Sequence, residues 1–164
     1  MRMKKILLVL VAMFCVATAS AQTKVSEMID NSKWAVGLRV GGGVEAVAEG
    51  FYAKDRQIEG RLGYDWASGL GLTALHVWNP CDWNWTPKVC WWFLDAGVGA
   101  YVGTHFHDVC VGVAGTVKFG VRFKKVPIRL AVDYTPKFGL YAGKGWAGFY
   151  GGFWNGGLSA TYCF

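Results

Sequence analysis

The sequence predicts an all-β fold: a closed, up-and-down antiparallel transmembrane β-barrel of about eight strands. Three observations point to it. From Trp34 onward apolar residues recur at every second position, the period of a strand with two unlike faces. After the first 21 residues no uninterrupted apolar stretch is long enough for a membrane-crossing helix, although hydrophobic residues make up 53% of the chain. Glycine (23) and tryptophan (9) are abundant while charged residues reach only 17%, less charge than a water-soluble domain of this size normally carries.

The chain opens with an export signal. Arg2, Lys4 and Lys5 form a positive segment, Ile6 to Val16 an apolar one, and Ala19-Ser20-Ala21 a small-residue cleavage site before Gln22. Cys15 does not read as a lipidation site, because Met13 and Phe14 stand where small residues are needed. The organisation expected is a signal peptide over residues 1–21, a periplasmic lead-in over 22–33 and one barrel domain over 34–164. The formal charge of +6 falls with the signal, which holds three of the 17 basic residues and none of the 11 acidic ones; 14 against 11 leaves +3. Lys124-Lys125 is the longest basic run, so nucleic acid is not an expected partner.

The strands follow in order. Trp34, Val36, Leu38 and Val40 alternate with Ala35, Gly37 and Arg39. A weaker strand from about Glu45 to Ala53 ends at a tight Lys54-Asp55-Arg56 turn. Ile58, Gly60, Leu62, Tyr64 and Trp66 form the apolar row of the third strand, and residues 70–78 the fourth. Trp92 to Val102, Val111 to Phe123 and Ile128 to Thr135 continue the pattern, the last two joined by a short turn containing Pro127. Segments 80–88 and 136–152 read as connections rich in aromatic residues. Leu158, Ala160, Tyr162 and Phe164 close the count.

The two faces separate a soluble from a membrane barrel. In a soluble barrel the apolar row points inward. Here the opposite row is small and glycine-rich with isolated charges, as in Gly112-Ala114-Thr116 and Gly157-Ser159-Thr161, which suits a narrow interior filled by side chains. The Val, Leu, Ile and Phe row, ending in Trp or Tyr, suits lipid. In lipid a sheet must be closed, because each unpaired backbone group costs several kcal/mol.

The last strand, with its terminal Phe164, Tyr162 and apolar residues at alternate positions before them, resembles the C-terminal strand of outer-membrane β-barrel proteins. Residues 111–136 also look like the small, eight-stranded members of that family. The resemblance spans about 34–164 and implies residence in the outer membrane, with Tyr162 and Phe164 as an assembly signal read by the barrel-assembly machinery. It implies no activity, since fold does not fix function. The cysteines at 81, 90 and 163 depart from the family's pattern.

Candidate functional residues are few. Arg39, Glu59, Arg61, Asp65, Asp95, Lys118, Arg122, Arg129 and Asp133 fall on the inward row, with both signs on neighbouring strands; an internal ion-pair network that fills the interior is expected over an ion path. His105, His107 and Asp108 make an incomplete metal set in a predicted loop, so no metal or other cofactor is expected. Ser68 and Ser159, the serines of the barrel region, form no readable triad with a histidine, so no catalytic residue is assigned. Cys81 and Cys90 bracket a predicted loop and are a candidate disulfide, whereas Cys110 and Cys163 fall at opposite strand ends. The expectation is a non-enzymatic outer-membrane barrel with a structural or surface-interaction role. Its partners would be lipid and an extracellular ligand at the 136–152 loop. The alternatives are a soluble periplasmic carrier of a small apolar ligand and a lipid-modifying enzyme.

Overall fold

The computed structural model describes residues 33–65, 69–105, 108–143, 146–152 and 154–164. The predicted signal peptide and residues 22–32 of the lead-in lie outside the described residues. Ten β-segments follow in order: β1 (Trp34–Gly41), β2 (Gly43–Ala53), β3 (Arg56–Asp65), β4 (Gly69–Thr86), β5 (Cys90–His105), β6 (Asp108–Phe123), β7 (Ile128–Tyr134), β8 (Lys137–Gly143), β9 (Trp146–Gly152) and β10 (Gly156–Cys163). Each pairs antiparallel with its sequence neighbour from β1 through β6, and β10 closes the ring between β7 and β1.

Ten segments make eight strands. β6 pairs Val117 with Tyr134 of β7 and Ala114 with Lys137 of β8 in one unbroken register. β7 and β8 are therefore one strand, interrupted where Pro136 lacks an N–H; the Pro136 carbonyl still accepts from Gly115 N at 3.0 Å. β9 and β10 are two halves of the last strand, pairing in turn with β8 and β7, with the register shifted by one position between them. The fold is a closed antiparallel eight-stranded barrel.

The registers also set the tilt. From Cys163 the ladder partners run Ala35, Glu49, Glu59, Leu75, Gly99, Ala114, Lys137 and back to Gly152, 11 positions up the starting strand. That stagger of roughly 36 Å against roughly 38 Å of sheet width, measured across the strands, inclines the strands by about 43°. All tight turns at 53–56, 86–90 and 124–127 share one end with Lys33 and Phe164, which we call the terminal end. There the ladder of β1 and β10 is completed by Phe164 N donating to Trp34 O at 2.8 Å.

Alternation sorts the wall into two unlike faces. Leu38, Ile58, Val113 and Leu158 on the outer face are each close to 60% exposed, while Arg39, Glu59 and Lys118 on the inner face are at most 1% exposed. The inner face is itself divided. Leu75, Val77, Tyr101, Cys110 and Ala114, with Tyr141 against them, form a small apolar core on the β4–β6 and β8 side.

Three sequence expectations change here. Segment 80–88 is mostly strand: β4 and β5 run on as an overhanging hairpin, and Pro80 falls at a slip in register between Trp78 and Cys81, where no ladder donor is needed. Segment 136–152 is the β8–β9 hairpin, because Lys137, Gly139 and Tyr141 keep the inward phase of Arg129 and Asp133 past the proline. Cys81 and Cys90 are not bonded, and both thiols are free and buried. With the segment between them folded as strand, Cys81 faces Leu94 while Cys90 faces Thr86. Four residues of β5 hold them about 13 Å apart along the ladder, beyond disulfide reach.

Candidate functional site: an ion-paired interior

The inward positions of six of the eight strands deliver charge to an interior just wide enough for side chains. Strand alternation places Arg39 on β1, Glu45 and Glu49 on β2, Glu59 and Arg61 on β3, Asp95 on β5, Lys118 on β6, Arg129 and Asp133 on β7 and Lys137 on β8. They form one chain of alternating sign. Lys137 Nζ lies 3.4 Å from Glu45 Oε1, and Glu45 Oε2 is 2.8 Å from Arg39 Nη1. Arg39 Nη2 is 2.8 Å from Asp133 Oδ1, which Arg61 Nη1 approaches to 3.8 Å. Arg61 Nε meets Glu59 Oε1 at 2.5 Å, and the other Glu59 oxygen pairs with Lys118. Lys118 Nζ then reaches Glu49 Oε1 at 2.8 Å. Glu49 Oε2 is 2.9 Å from Arg129 Nη1, and Arg129 Nη2 ends the run on Asp95 Oδ2 at 2.5 Å.

Five cations and five anions make this chain, so it carries no net charge. Every side chain in it is at most 8% exposed. Isolated, each charge would cost several kcal/mol to desolvate; between two opposite charges, with its remaining sites hydrogen-bonded, that penalty is offset. Neighbouring polar groups take up several of the remaining sites. Thr135 Oγ1 accepts from Arg61 Nη1 at 2.9 Å and donates to Asp133 Oδ1 at 3.1 Å. Arg39 Nη2 also donates to Asn155 Oδ1 at 3.0 Å. Gln57 accepts from Arg129 at 3.1 Å and donates to Asp95 at 3.3 Å, and Asn79 Nδ2 donates to both Asp95 (2.9 Å) and Asp82 (2.8 Å).

The terminal mouth is closed by the same chain. The Arg129 guanidinium lies 4.1 Å from the centre of the Phe93 ring and 5.5 Å from that of Phe51, a cation held between two aromatic faces. Chemically the interior of the described barrel is a set of strong charges paired with one another. Among the described residues no group of three or more His, Cys, Asp or Glu is placed to hold a metal ion.

Of the residues singled out in sequence, Arg39, Glu59, Arg61, Asp95, Lys118, Arg129 and Asp133 are brought together in this chain. Arg122 shares their inward row on β6 but is only half-buried, near the terminal mouth. The side chain of Asp65 lies outside the described residues, as do Ser68, His107 and the side chain of His105. Ser159 lies on the inner face of β10, opposite Arg39 and Ala131. Glu45, Glu49 and Lys137 are essential links that sequence reasoning missed. The glutamates alternate with Val44, Ala46 and Ala48, so their inward phase was present but carried by weak alanine partners.

The outer face carries an aromatic cluster at the terminal end. Trp83 stacks on Trp85 at 5.4 Å, and Trp92 lies 5.4 Å from Phe119. Leu94, on the same outer row as Trp92 and opposite Phe119, is buried. Nearby, the Tyr52 hydroxyl meets His76 Nε2, and the His76 ring lies 5.6 Å from that of Trp78.

Compared with protein-family models, with curated proteins and with solved structures, the chain gives no match in any of the three.

Proposed function

We propose that this chain is an integral outer-membrane β-barrel protein, exported by a cleaved signal, whose interior is a plug of ion pairs and whose role is structural or surface-interacting, with no catalysis of its own. The sorting of the two wall faces carries this reading. In water, leaving side chains such as Leu38, Ile58, Val113 and Leu158 exposed would forgo about 1.5–3 kcal/mol each, while ten charges sat desolvated inside. In lipid the same arrangement is the stable one. The outer apolar row of β5, from Trp92 to Val102, rises about 24 Å at the tilt derived above, close to the roughly 25 Å apolar band of outer-membrane barrels.

With the termini in the periplasm, the β8–β9 hairpin projects outward as the surface on which an extracellular ligand would act. Tyr162 and Phe164 would serve the assembly machinery at the opposite end. A soluble carrier is disfavoured because its ligand would need the space that the ion chain and the Leu75–Tyr101 core occupy. Fractionation combined with gel mobility tests the proposal. Recovery in the membrane fraction, with a band that migrates differently before and after boiling, is expected. Recovery in the soluble periplasm without detergent would refute it.

A further inference from the structure

We propose that the terminal end of the barrel is a basic collar that binds the headgroups of anionic phospholipids in the leaflet it touches; this rests on the membrane reading above. Up-and-down topology gathers the turns at 53–56, 86–90 and 124–127 at that end together with residue 33. These segments carry Lys33, Lys54, Arg56, Lys88, Lys124 and Lys125. The acidic residues of the same end are Asp55, 3.8 Å from Arg56, and Asp82, which accepts from Asn79 at 2.8 Å. At the opposite end the described strand ends include Asp65 and Asp108 and no lysine or arginine. Since the interior chain sums to zero, the excess positive charge of the described residues resides at one end.

The position of these amines selects a lipid surface over a soluble polyanion. Lys33, Lys88 and Lys125 each directly precede an exposed apolar residue, Trp34, Val89 and Val126. The Lys124 ammonium lies 4.3 Å over the Trp91 ring and donates to Asn84 Oδ1 at 3.3 Å, tying the β4–β5 hairpin to the 124–127 turn. The collar thus stands on the boundary between the apolar band and the aqueous rim. A lysine stem can lie along acyl chains there while its head meets a phosphate, and indole rings favour the same depth. A dissolved acidic polymer would match the amines but leave Trp34, Val89 and Val126 in water. Each basic group near an anionic bilayer surface raises association about fivefold at moderate ionic strength.

The test uses the whole protein folded into phosphatidylcholine vesicles containing trace spin-labelled phosphatidylglycerol or spin-labelled phosphatidylcholine, with the motionally restricted fraction of each measured. Preferential restriction of phosphatidylglycerol by about threefold or more is expected, falling toward equality at high salt and in the Lys88→Gln/Lys124→Gln/Lys125→Gln variant. Equal restriction of the two lipids by the wild type would overturn the proposal, as would a preference that the triple variant keeps. Capture by soluble polyglutamate without any lipid preference would overturn it too, and assign the collar to such a polymer. Failure of the membrane reading is distinguishable, because then neither lipid is restricted and no heat-modifiable band forms.

Discussion

The guanidinium of Arg39 on β1 passes over β10 to reach the carboxylate of Asp133 on β7, Nη2 to Oδ1 2.8 Å. Its seat is Gly157, the ladder partner of Asp133, where a Cβ would stand 2.8 Å from Arg39 Cζ. The same guanidinium holds Glu45 on β2. One side chain therefore spans four adjacent strands across the junction of the first and the last.

Replacing that side chain should loosen the junction. Arg39→Met leaves Glu45 and Asp133 buried without their shared cation, and a loss of about 3–5 kcal/mol is expected. It would be read as a lower temperature at which the unboiled gel band converts to the unfolded one. Arg39→Lys should recover only part of the loss, because an ammonium cannot fork between the two carboxylates and Asn155. An unchanged conversion temperature in Arg39→Met would contradict the assignment.

Lys118 offers a test of coupling. It bridges Glu49 and Glu59, each of which has a second cation, Arg129 and Arg61 respectively. Lys118→Met alone should destabilise strongly, whereas Lys118→Met with Glu59→Gln removes one charge of each sign. The double variant should be more stable than the sum of the single effects by about 1–3 kcal/mol. Simple additivity in denaturant titrations would speak against a connected chain.

The interior should not conduct like an open pore. Arg129 between Phe93 and Phe51, bonded to Asp95 and Glu49, closes the terminal mouth. In planar bilayers the wild type is expected to give no steady water-filled conductance, and Arg129→Ala with Phe93→Ala is expected to raise the current. Large, stable steps from the wild type would show that the chain does not fill the bore.

The four cysteines of the described barrel should behave as buried thiols. Maleimide labelling is expected only after denaturation, and mobility should be the same with and without reductant. A reductant-sensitive band shift within one chain would revive a Cys81–Cys90 bridge and require a register other than Cys81 opposite Leu94.

Period two made most of the barrel legible, because each strand needs one face for solvent or lipid and another for the interior. The phase of Arg39, Glu59, Lys118 and Asp133 followed directly from their apolar neighbours. Two places resisted for the same reason, namely proline. Pro80 and Pro136 read as strand ends, yet one falls at a bulge and the other at a point where its carbonyl alone continues the ladder. Lys137, one residue beyond Pro136, was lost with that boundary. The links between charges were never readable, since pairing depends on the stagger of 11 positions and not on any spacing along the chain.

The neutrality of the interior chain also constrains how this sequence can change over time. Any single replacement that alters a charge leaves an odd, buried ion with one counterpart too few. Compensation must come from a specific position, often on a strand distant in sequence, as Asp133 is for Arg39 and Lys118 is for Glu49. The outer wall can exchange Leu for Val one site at a time, but the inside is expected to drift in matched pairs. In an alignment of relatives, those paired columns would trace the chain without any coordinates.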